Sequence, residues 1–147
     1  MSKKFTIIIP TFKNINYLKL CIESILKNSS ISHQLIIHIN GIDEETEFFL
    51  NQKKILYTKT DTNVGLCSGV NLAANKADTN YILYAHDDMY FLPDWDIRLD
   101  EEVMKIKHNN FYLSMTHISC MNGVRVIYNI LFLIVVQILK NLTKISY

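Results

Sequence analysis

Residues 5–11 read Phe5-Thr6-Ile7-Ile8-Ile9-Pro10-Thr11, an apolar, β-branched run that Pro10 and Thr11 close. A short apolar run without polar alternation is typical of a strand that is buried on both faces of a parallel sheet. This stretch therefore predicts an interior strand, and the neighbouring segments indicate which fold surrounds it.

Helical and strand-like segments alternate downstream of this run. Apolar residues first recur at intervals of three and four behind Asn14, a residue able to cap a helix. They are Leu18, Cys21, Ile22 and Ile25. The other expected elements are strands at 35–39, 55–58 and 81–85 and helices at about 44–50 and 66–76. This alternation predicts an α/β fold, with a Rossmann-like, mostly parallel sheet flanked by helices.

The last third of the chain differs in composition from the rest. No Asp or Glu follows Glu102, and residues 124–139 are almost wholly apolar. Residues 96–107 predict a further helix and 111–118 a further strand. Residues 124–139 predict a buried or a membrane-facing helix, slightly shorter than the roughly twenty residues that a span needs. We divide the chain into an α/β domain at 1–118 and an apolar, basic tail at 119–147. The tail is either a membrane-associated helix or a frameshifted end.

Charge and cysteine content limit the classes of protein that the sequence can represent. The formal net charge is +1, which indicates no basic patch for nucleic acid, and we expect no such partner. Cys21, Cys67 and Cys120 are odd in number and widely spaced, which favours reduced thiols over a disulfide framework. The first apolar run ends at Pro10, too early for a secretion signal. We therefore expect a cytoplasmic protein, with the tail as its candidate contact with the inner face of the membrane.

Polar side chains follow the predicted strands at the edge where open parallel sheets bind ligands. The segments are Pro10-Thr11-Phe12, Asn40-Gly41-Ile42-Asp43, 61–65 and His86-Asp87-Asp88. No Gly-rich phosphate loop is present, so a divalent cation is the more suitable means of holding a diphosphate. Neighbours in an extended segment point to opposite faces, so one of Asp87 and Asp88 can bind Mg²⁺ or Mn²⁺ while the other faces a sugar or ribose. By itself, an Asp-Asp pair after a strand is more typical of a turn or a helix start.

Three ordered blocks resemble family-2 glycosyltransferases and together cover residues 5 to about 103. They are 6–14 with the apolar face of the following helix, 63–66 with Asn71, and 81–89 with Pro93 and Trp95. The resemblance implies a glycosyltransferase-A fold that is incomplete at its C-terminus, with 1–118 as its nucleotide-sugar-binding part. The residues that it implies for the nucleotide sugar are Pro10, Thr11, Phe12, Asn63, Gly65, Asn71 and Asp87. For the metal it implies Asp88, helped by Asp87.

Two positions depart from the family's pattern. The aspartate that binds the base after the second strand has no direct equivalent, so either Asn40 or Asp43 is expected to replace it. An Asn side chain suits a pyrimidine edge because it both donates and accepts. His86 stands where the first acid of the family's Asp-x-Asp motif would fall, and it is either a loop residue or a metal ligand.

The resemblance implies an inverting transferase that passes a sugar from a nucleoside diphosphate to a glycan or lipid-linked acceptor, with Mn²⁺ or Mg²⁺ as cofactor. The family's general base is a carboxylate well beyond the metal motif. Because no acid follows Glu102, no catalytic residue is assigned. The alternative is a catalytically inactive nucleotide-binding remnant or interaction module. A nucleotidyltransferase is disfavoured because its Gly-rich, basic N-terminal loop is absent.

Overall fold

The computed structural model describes residues 3–108, 111 and 113, and the backbone of 117–121, 124–128 and 136–137. Strands and helices alternate over the first hundred residues, as the sequence predicts, with bounds shifted by a few residues. The elements are β1 (Phe5–Thr11), α1 (Ile15–Asn28), β2 (Gln34–Asn40), α2 (Glu44–Lys53), β3 (Leu56–Thr60), α3 (Leu66–Ala74), β4 (Tyr81–Tyr84), α4 (Trp95–Lys105), β5 (His117–Met121), β6 (Val124–Tyr128) and β7 (Val136–Gln137).

The main sheet has the order β3-β2-β1-β4-β7, which places β1 at its centre. The strands β1 to β4 are parallel, while β7 pairs antiparallel with β4. Every residue of β1 is buried, as expected for a strand covered on both faces. The predicted α/β fold with a mostly parallel, Rossmann-like sheet is therefore confirmed.

Alternate residues of β1 pack into two separate apolar clusters. Phe5, Ile7 and Ile9 face a large cluster that the inner faces of α1, α2 and α4 complete. Ile8 points to the other face, where Ala73 of α3 joins it in a smaller cluster. Each fully buried isoleucine stabilises the fold by about 1.5–3 kcal/mol. The strand that decides the fold thus also holds both helical layers.

One helix start has a side-chain cap, while another lacks the cap that the sequence predicts. Asp43 caps α2, because its carboxylate accepts the backbone N–H and the hydroxyl of Thr46. Asn14 occupies the cap position of α1, but its side chain makes no capping hydrogen bond. Buried side chains of α1, Leu18 among them, anchor that helix. Packing therefore stabilises α1 without the expected cap.

The expectation for residues 124–139 was wrong where the structure describes them. In place of an apolar helix, β6 pairs antiparallel with β5, and β7 joins the main sheet. β-branched residues favour strands, and the two residues between β5 and β6 in the sequence are Asn-Gly, a strong hairpin signal. A strand was expected at 111–118, where the structure describes residues 111, 113, 117 and 118, and of these described residues 117 and 118 lie in β5. The remaining tail residues lie outside the described part, and the boundary at 118 stays a prediction. Among the described residues, no helix has the length and apolar character of a membrane span.

One close approach joins α3 to the sheet. His38 of β2 is fully buried, with Nδ1 2.8 Å from the hydroxyl oxygen of Thr58. Its Nε2 has no hydrogen-bond partner among the described residues. Burial lowers the pKa of His38, which favours the neutral imidazole. A Cβ built on Gly69 would lie 2.5 Å from Cδ2 of this ring, so only glycine fits where α3 crosses β2.

Gly69→Ala is expected to destabilise the protein, although alanine is the better helix former by about 1 kcal/mol. The added methyl group must displace a ring that is buried on all sides, and such overpacking costs about 1–3 kcal/mol. Urea denaturation measures the free energy of unfolding. Ser68→Ala, at an exposed position of the same helix, is the matched control and should change it little. A Gly69→Ala protein as stable as the wild type would contradict the close contact.

Candidate functional site

A cavity of about 520 Å³ opens at the carboxyl ends of the central strands. Three strand ends and the start of α3 surround it. Its lining residues are Pro10, Thr11, Phe12, Lys13, Asn14, Asn40, Asn63, Gly65, Leu66 and Asp87. This is the edge at which open parallel sheets bind their ligands, and the cavity is the candidate site.

The floor of the cavity is fixed by one hydrogen bond between neighbouring strand ends. The hydroxyl of Thr11, the last residue of β1, donates to Oδ2 of Asp87 at 2.6 Å. Just before Asp87, the backbone N–H of Ala85 donates to the carbonyl of Ile8 at 3.0 Å and extends the β1–β4 pairing. Thr11 is buried, so its short bond holds the carboxylate in one orientation. A carboxylate so held is available to a cation or to a polar ligand.

The charges of Asp87 and Asp88 act on two protected groups beside them. Burial, then the two carboxylates, raise the pKa of the Cys21 thiol to about 12. The same causes in the same order raise the pKa of Tyr84 to about 12. Both groups therefore stay protonated at neutral pH, and the thiol donates to the carbonyl of His86 at 3.5 Å. The negative charge at this turn therefore comes from Asp87 and Asp88, and neither Cys21 nor Tyr84 adds to it.

His86 precedes the two acids and contacts Tyr84. The hydroxyl oxygen of Tyr84 lies 3.1 Å from Nε2 of His86, and the two rings meet edge to face at 5.1 Å. His86 is half-buried and is not among the cavity-lining residues. Its position is that of a loop residue packed on the end of β4.

Asn40 joins the end of β2 to the loop that precedes α3. Its amide oxygen accepts the N–H of Val64 at 2.8 Å, and its amide nitrogen donates to the carbonyl of Gly65 at 3.3 Å. Asp43, the other candidate for the base-binding position, is used in capping α2 and does not line the cavity. Of the two, only Asn40 lies at the site, and there it organises a loop.

Two turns complete the walls. The side chain of Asn63 accepts the N–H of Gly65 at 2.9 Å, and Gly65 has a φ of 81°, which favours glycine even though a Cβ would meet nothing within 4 Å. Phe12 also lines the cavity and is 50% exposed, and a Cβ at Gly41 would lie 3.4 Å from its ring. Nζ of Lys13 lies over this ring, 5.6 Å from its centroid. Phe12 therefore contributes a half-exposed aromatic ring, with a cation beside it, to the cavity.

Most of the residues expected from the sequence lie around this one cavity. Those gathered there are Pro10, Thr11, Phe12, Asn40, Asn63, Gly65 and Asp87. Asp43, Asn71 and Asp88 are not among its lining residues. Lys13, Asn14 and Leu66 line it although they were not expected to. Lys13 and Asn14 directly follow the first strand end, and Leu66 directly follows Gly65, so extending each segment by one or two residues would have found them.

Comparison with known proteins identifies the family. The model of the family "Glycosyl transferase family 2" matches residues 6–142, which is most of the chain. The chain belongs to glycosyl transferase family 2. The match begins in β1 and includes every strand end that forms the cavity.

Two curated relatives that the sequence matches are distant and much longer. Glycosyltransferase GlyA of Streptococcus pneumoniae serotype 4 is 25% identical over 118 residues, which cover 74% of this chain and 17% of the relative. An uncharacterized glycosyltransferase of Rickettsia bellii is 29% identical over 117 residues, which cover 77% of this chain and 16% of the relative. The chain therefore spans about a sixth of the length of these curated relatives.

Solved structures with the same glycosyltransferase-A architecture include S. aureus TarS. Residues 1–349 of TarS in complex with UDP-GlcNAc match with a TM-score of 0.68 and 17% identity, over 84% of this chain and 36% of that one. The complex with UDP matches with a TM-score of 0.65 and 17% identity, over 84% and 38%. At these identities the likeness shows the fold, which agrees with the family assignment.

Asn40→Asp is expected to loosen the loop before α3. The substitution keeps the size of the side chain and its acceptor, but a carboxylate oxygen then faces the carbonyl of Gly65 where an N–H donated before. Such a mismatch at a buried position costs about 1–3 kcal/mol. Amide hydrogen exchange at Val64 and through the first turn of α3 should become faster. Asn80→Asp, at an exposed position, is the control, and unchanged exchange in the Asn40 variant would contradict the role of Asn40.

Proposed function

We propose that this chain binds a nucleoside-diphosphate sugar in the cavity at the ends of β1, β2 and β4, for transfer of the sugar to a glycan or lipid-linked acceptor. The observation that carries the proposal is the carboxylate of Asp87, held by Thr11 on the floor of a cavity with an aromatic wall. Membership of glycosyl transferase family 2 supports transfer chemistry. The TarS complexes with UDP and UDP-GlcNAc support a nucleotide sugar as the donor.

The donor set fits a hard divalent cation. Among the described residues, no group of three or more His, Cys, Asp and Glu side chains is placed to enclose a metal ion. Mg²⁺ and Mn²⁺ do not require such an enclosure, because they are commonly held by one or two carboxylates together with substrate phosphates and water. Asp88, helped by Asp87, would hold the ion. When bound, it would stabilise the charge of the diphosphate leaving group.

The walls of the cavity suit the other parts of such a donor. The half-exposed ring of Phe12, with Nζ of Lys13 5.6 Å from its centroid, would stack on a base. Gly65 and Leu66 at the start of α3 line the same cavity, and the backbone N–H groups of a helix start favour anions such as phosphate. The backbone around Lys13, with a φ of 51°, turns the chain away from β1 beside these groups. Base, diphosphate and cation would thus each meet a matching surface.

A second function is favoured by one observation. Inverting transfer, as the family resemblance implies it, requires a base that deprotonates the acceptor hydroxyl. No Asp or Glu follows Glu102 in this sequence. The chain by itself would then bind the donor without transferring the sugar, as an inactive nucleotide-binding protein or interaction module. Incubation with a panel of nucleotide sugars and acceptors separates the two functions, because only the transferase releases nucleoside diphosphate over many turnovers.

The place of action follows from the same proposal. Cys21 and Cys67 are free, which supports a reducing, cytoplasmic location, where nucleotide sugars would meet the protein. An acceptor linked to a lipid would bring the chain to the inner face of the membrane, with the tail as the segment that contacts it. Membrane association is tested by flotation with vesicles that contain anionic lipid.

Asp88→Asn is expected to weaken UDP binding in the presence of Mn²⁺ and to leave metal-free binding unchanged. The substitution keeps the size of the side chain but removes the charge that binds the cation. Isothermal titration with UDP, with and without Mn²⁺, measures both affinities. Asp94→Asn is the control, since Asp94 is exposed and asparagine tolerates its φ of 62°. Equal affinity of the Asp88 variant and the wild type in Mn²⁺ would show that the metal assignment is wrong.

Phe12→Ala is expected to lower the affinity for UDP with and without metal, because it removes the stacking surface. Loss of one aromatic–base stack corresponds to about 1–3 kcal/mol. Phe48→Ala is the matched control, since Phe48 is 64% exposed and does not line the cavity. The same titrations test this wall, and an unchanged affinity in a folded Phe12 variant would rule it out.

A further inference from the structure

Polar side chains of α1 hold the segment that follows Asp87 and Asp88, two residues that we call the acidic turn. Residues 21, 24 and 28 of α1 are spaced by three and four, so they lie on one face of the helix. Cys21 donates to the carbonyl of His86, on the near side of the turn at Asp87 and Asp88. The other two side chains bind the chain on the far side of the turn.

The far-side contacts both go to Phe91. The hydroxyl oxygen of Ser24 accepts the N–H of Phe91 at 3.0 Å, and the amide nitrogen of Asn28 donates to the carbonyl of Phe91 at 2.6 Å. Ser24 is itself fixed, because its hydroxyl donates to the carbonyl of Cys21 at 2.7 Å and its side chain is buried. The backbone N–H and carbonyl of Phe91 therefore have their hydrogen-bond partners in two side chains, where a neighbouring strand would otherwise provide them.

These bonds determine where Asp88 lies. On one side, strand pairing and the bond from Thr11 hold Asp87. On the other, Phe91 is held three residues after Asp88. Asp88 is exposed, and no hydrogen bond or ion pair among the described residues holds its carboxylate, so its position depends on the backbone on either side. We infer that Ser24 and Asn28 are positioning residues for Asp88. The inference rests on the proposed function, in which Asp88 binds the cation.

The next residues of the segment have anchors of their own. Nε1 of Trp95 donates to the hydroxyl oxygen of Ser29 at 3.2 Å. Oδ2 of the buried Asp96 accepts the N–H groups of Ser30 and Ile31, both at 2.7 Å. These bonds hold α4 without using the backbone groups of Phe91, while the rings of Phe91 and Trp95 also meet edge to face at 4.8 Å. Ser29→Ala is therefore a matched control that removes a hydrogen bond from the same region and keeps both bonds to the backbone of Phe91.

The test compares Mn²⁺-dependent UDP binding by the 147-residue chain and its variants. In Asn28→Asp, a carboxylate of the same size meets the carbonyl of Phe91 in place of a donor. We expect about tenfold weaker binding in Mn²⁺, the equivalent of one hydrogen bond, and unchanged metal-free binding. The added negative charge would by itself attract Mn²⁺ and strengthen binding. A loss of affinity in Asn28→Asp would therefore come from the displaced backbone and not from the charge. Ser24→Ala should act in the same direction, while Ser24→Thr, which keeps the hydroxyl, should restore binding.

Amide hydrogen exchange gives a readout that does not depend on any ligand. The N–H of Phe91 should exchange faster in Ser24→Ala and at the wild-type rate in Ser29→Ala.

The binding outcomes distinguish the inference from the proposed function. Suppose that the wild type binds UDP in the presence of Mn²⁺. If Asn28→Asp and Ser24→Ala then bind it as tightly as the wild type does, the positioning role is overturned and the proposed function stands. If Ser29→Ala loses as much Mn²⁺-dependent binding as they do, the effect is one of general stability and the inference also fails. If the wild type shows no Mn²⁺-dependent binding, both the proposed function and the inference are overturned.

Discussion

Thr11 donates a 2.6 Å hydrogen bond from the end of β1 to the carboxylate of Asp87, beyond the end of β4. The bond is possible because β1 is the central strand and pairs with β2 on one side and β4 on the other. Parallel pairing brings the carboxyl ends of all three strands to one edge, where their following residues form a single cavity. The Ile-rich run of β1 therefore positions the candidate site as well as the core.

The loops around the cavity are held by side chains that complete backbone hydrogen bonding. Asn40 satisfies backbone groups of Val64 and Gly65, and Ser24 with Asn28 satisfies both backbone groups of Phe91. Backbone groups in these loops have no strand or helix partner, and short polar side chains from the neighbouring element bond them instead. The acidic turn can in this way be exposed to ligands and yet remain fixed in position.

The sequence predicted the elements that depend on local pattern. Apolar runs such as that of β1 and the spacing of residues in α1 are visible in the sequence itself, and strand ends indicated most of the cavity lining. Residues 124–128 and 136–137 form strands where a helix was expected, because apolar content alone does not distinguish a helix from strands. The bonds from α1 to Phe91 join residues more than sixty positions apart, and no local pattern encodes such pairs. Asp43 was expected as a candidate for binding the base, but it caps α2, because an acid that follows a strand suits either role.

In the proposed function, the turn after β4 would hold a divalent cation together with a nucleoside diphosphate. Paramagnetic broadening of backbone amide signals by Mn²⁺ locates such an ion directly in a chain of 17.1 kDa. With UDP present, substoichiometric Mn²⁺ should broaden the signals of Asp87 and Asp88 most, then those of Thr11, which is bonded to Asp87, and of Gly65, which lines the same cavity. Broadening centred on another acidic segment, such as Glu44 and Glu45 at the start of α2, or the same weak broadening with and without UDP, would contradict the claim.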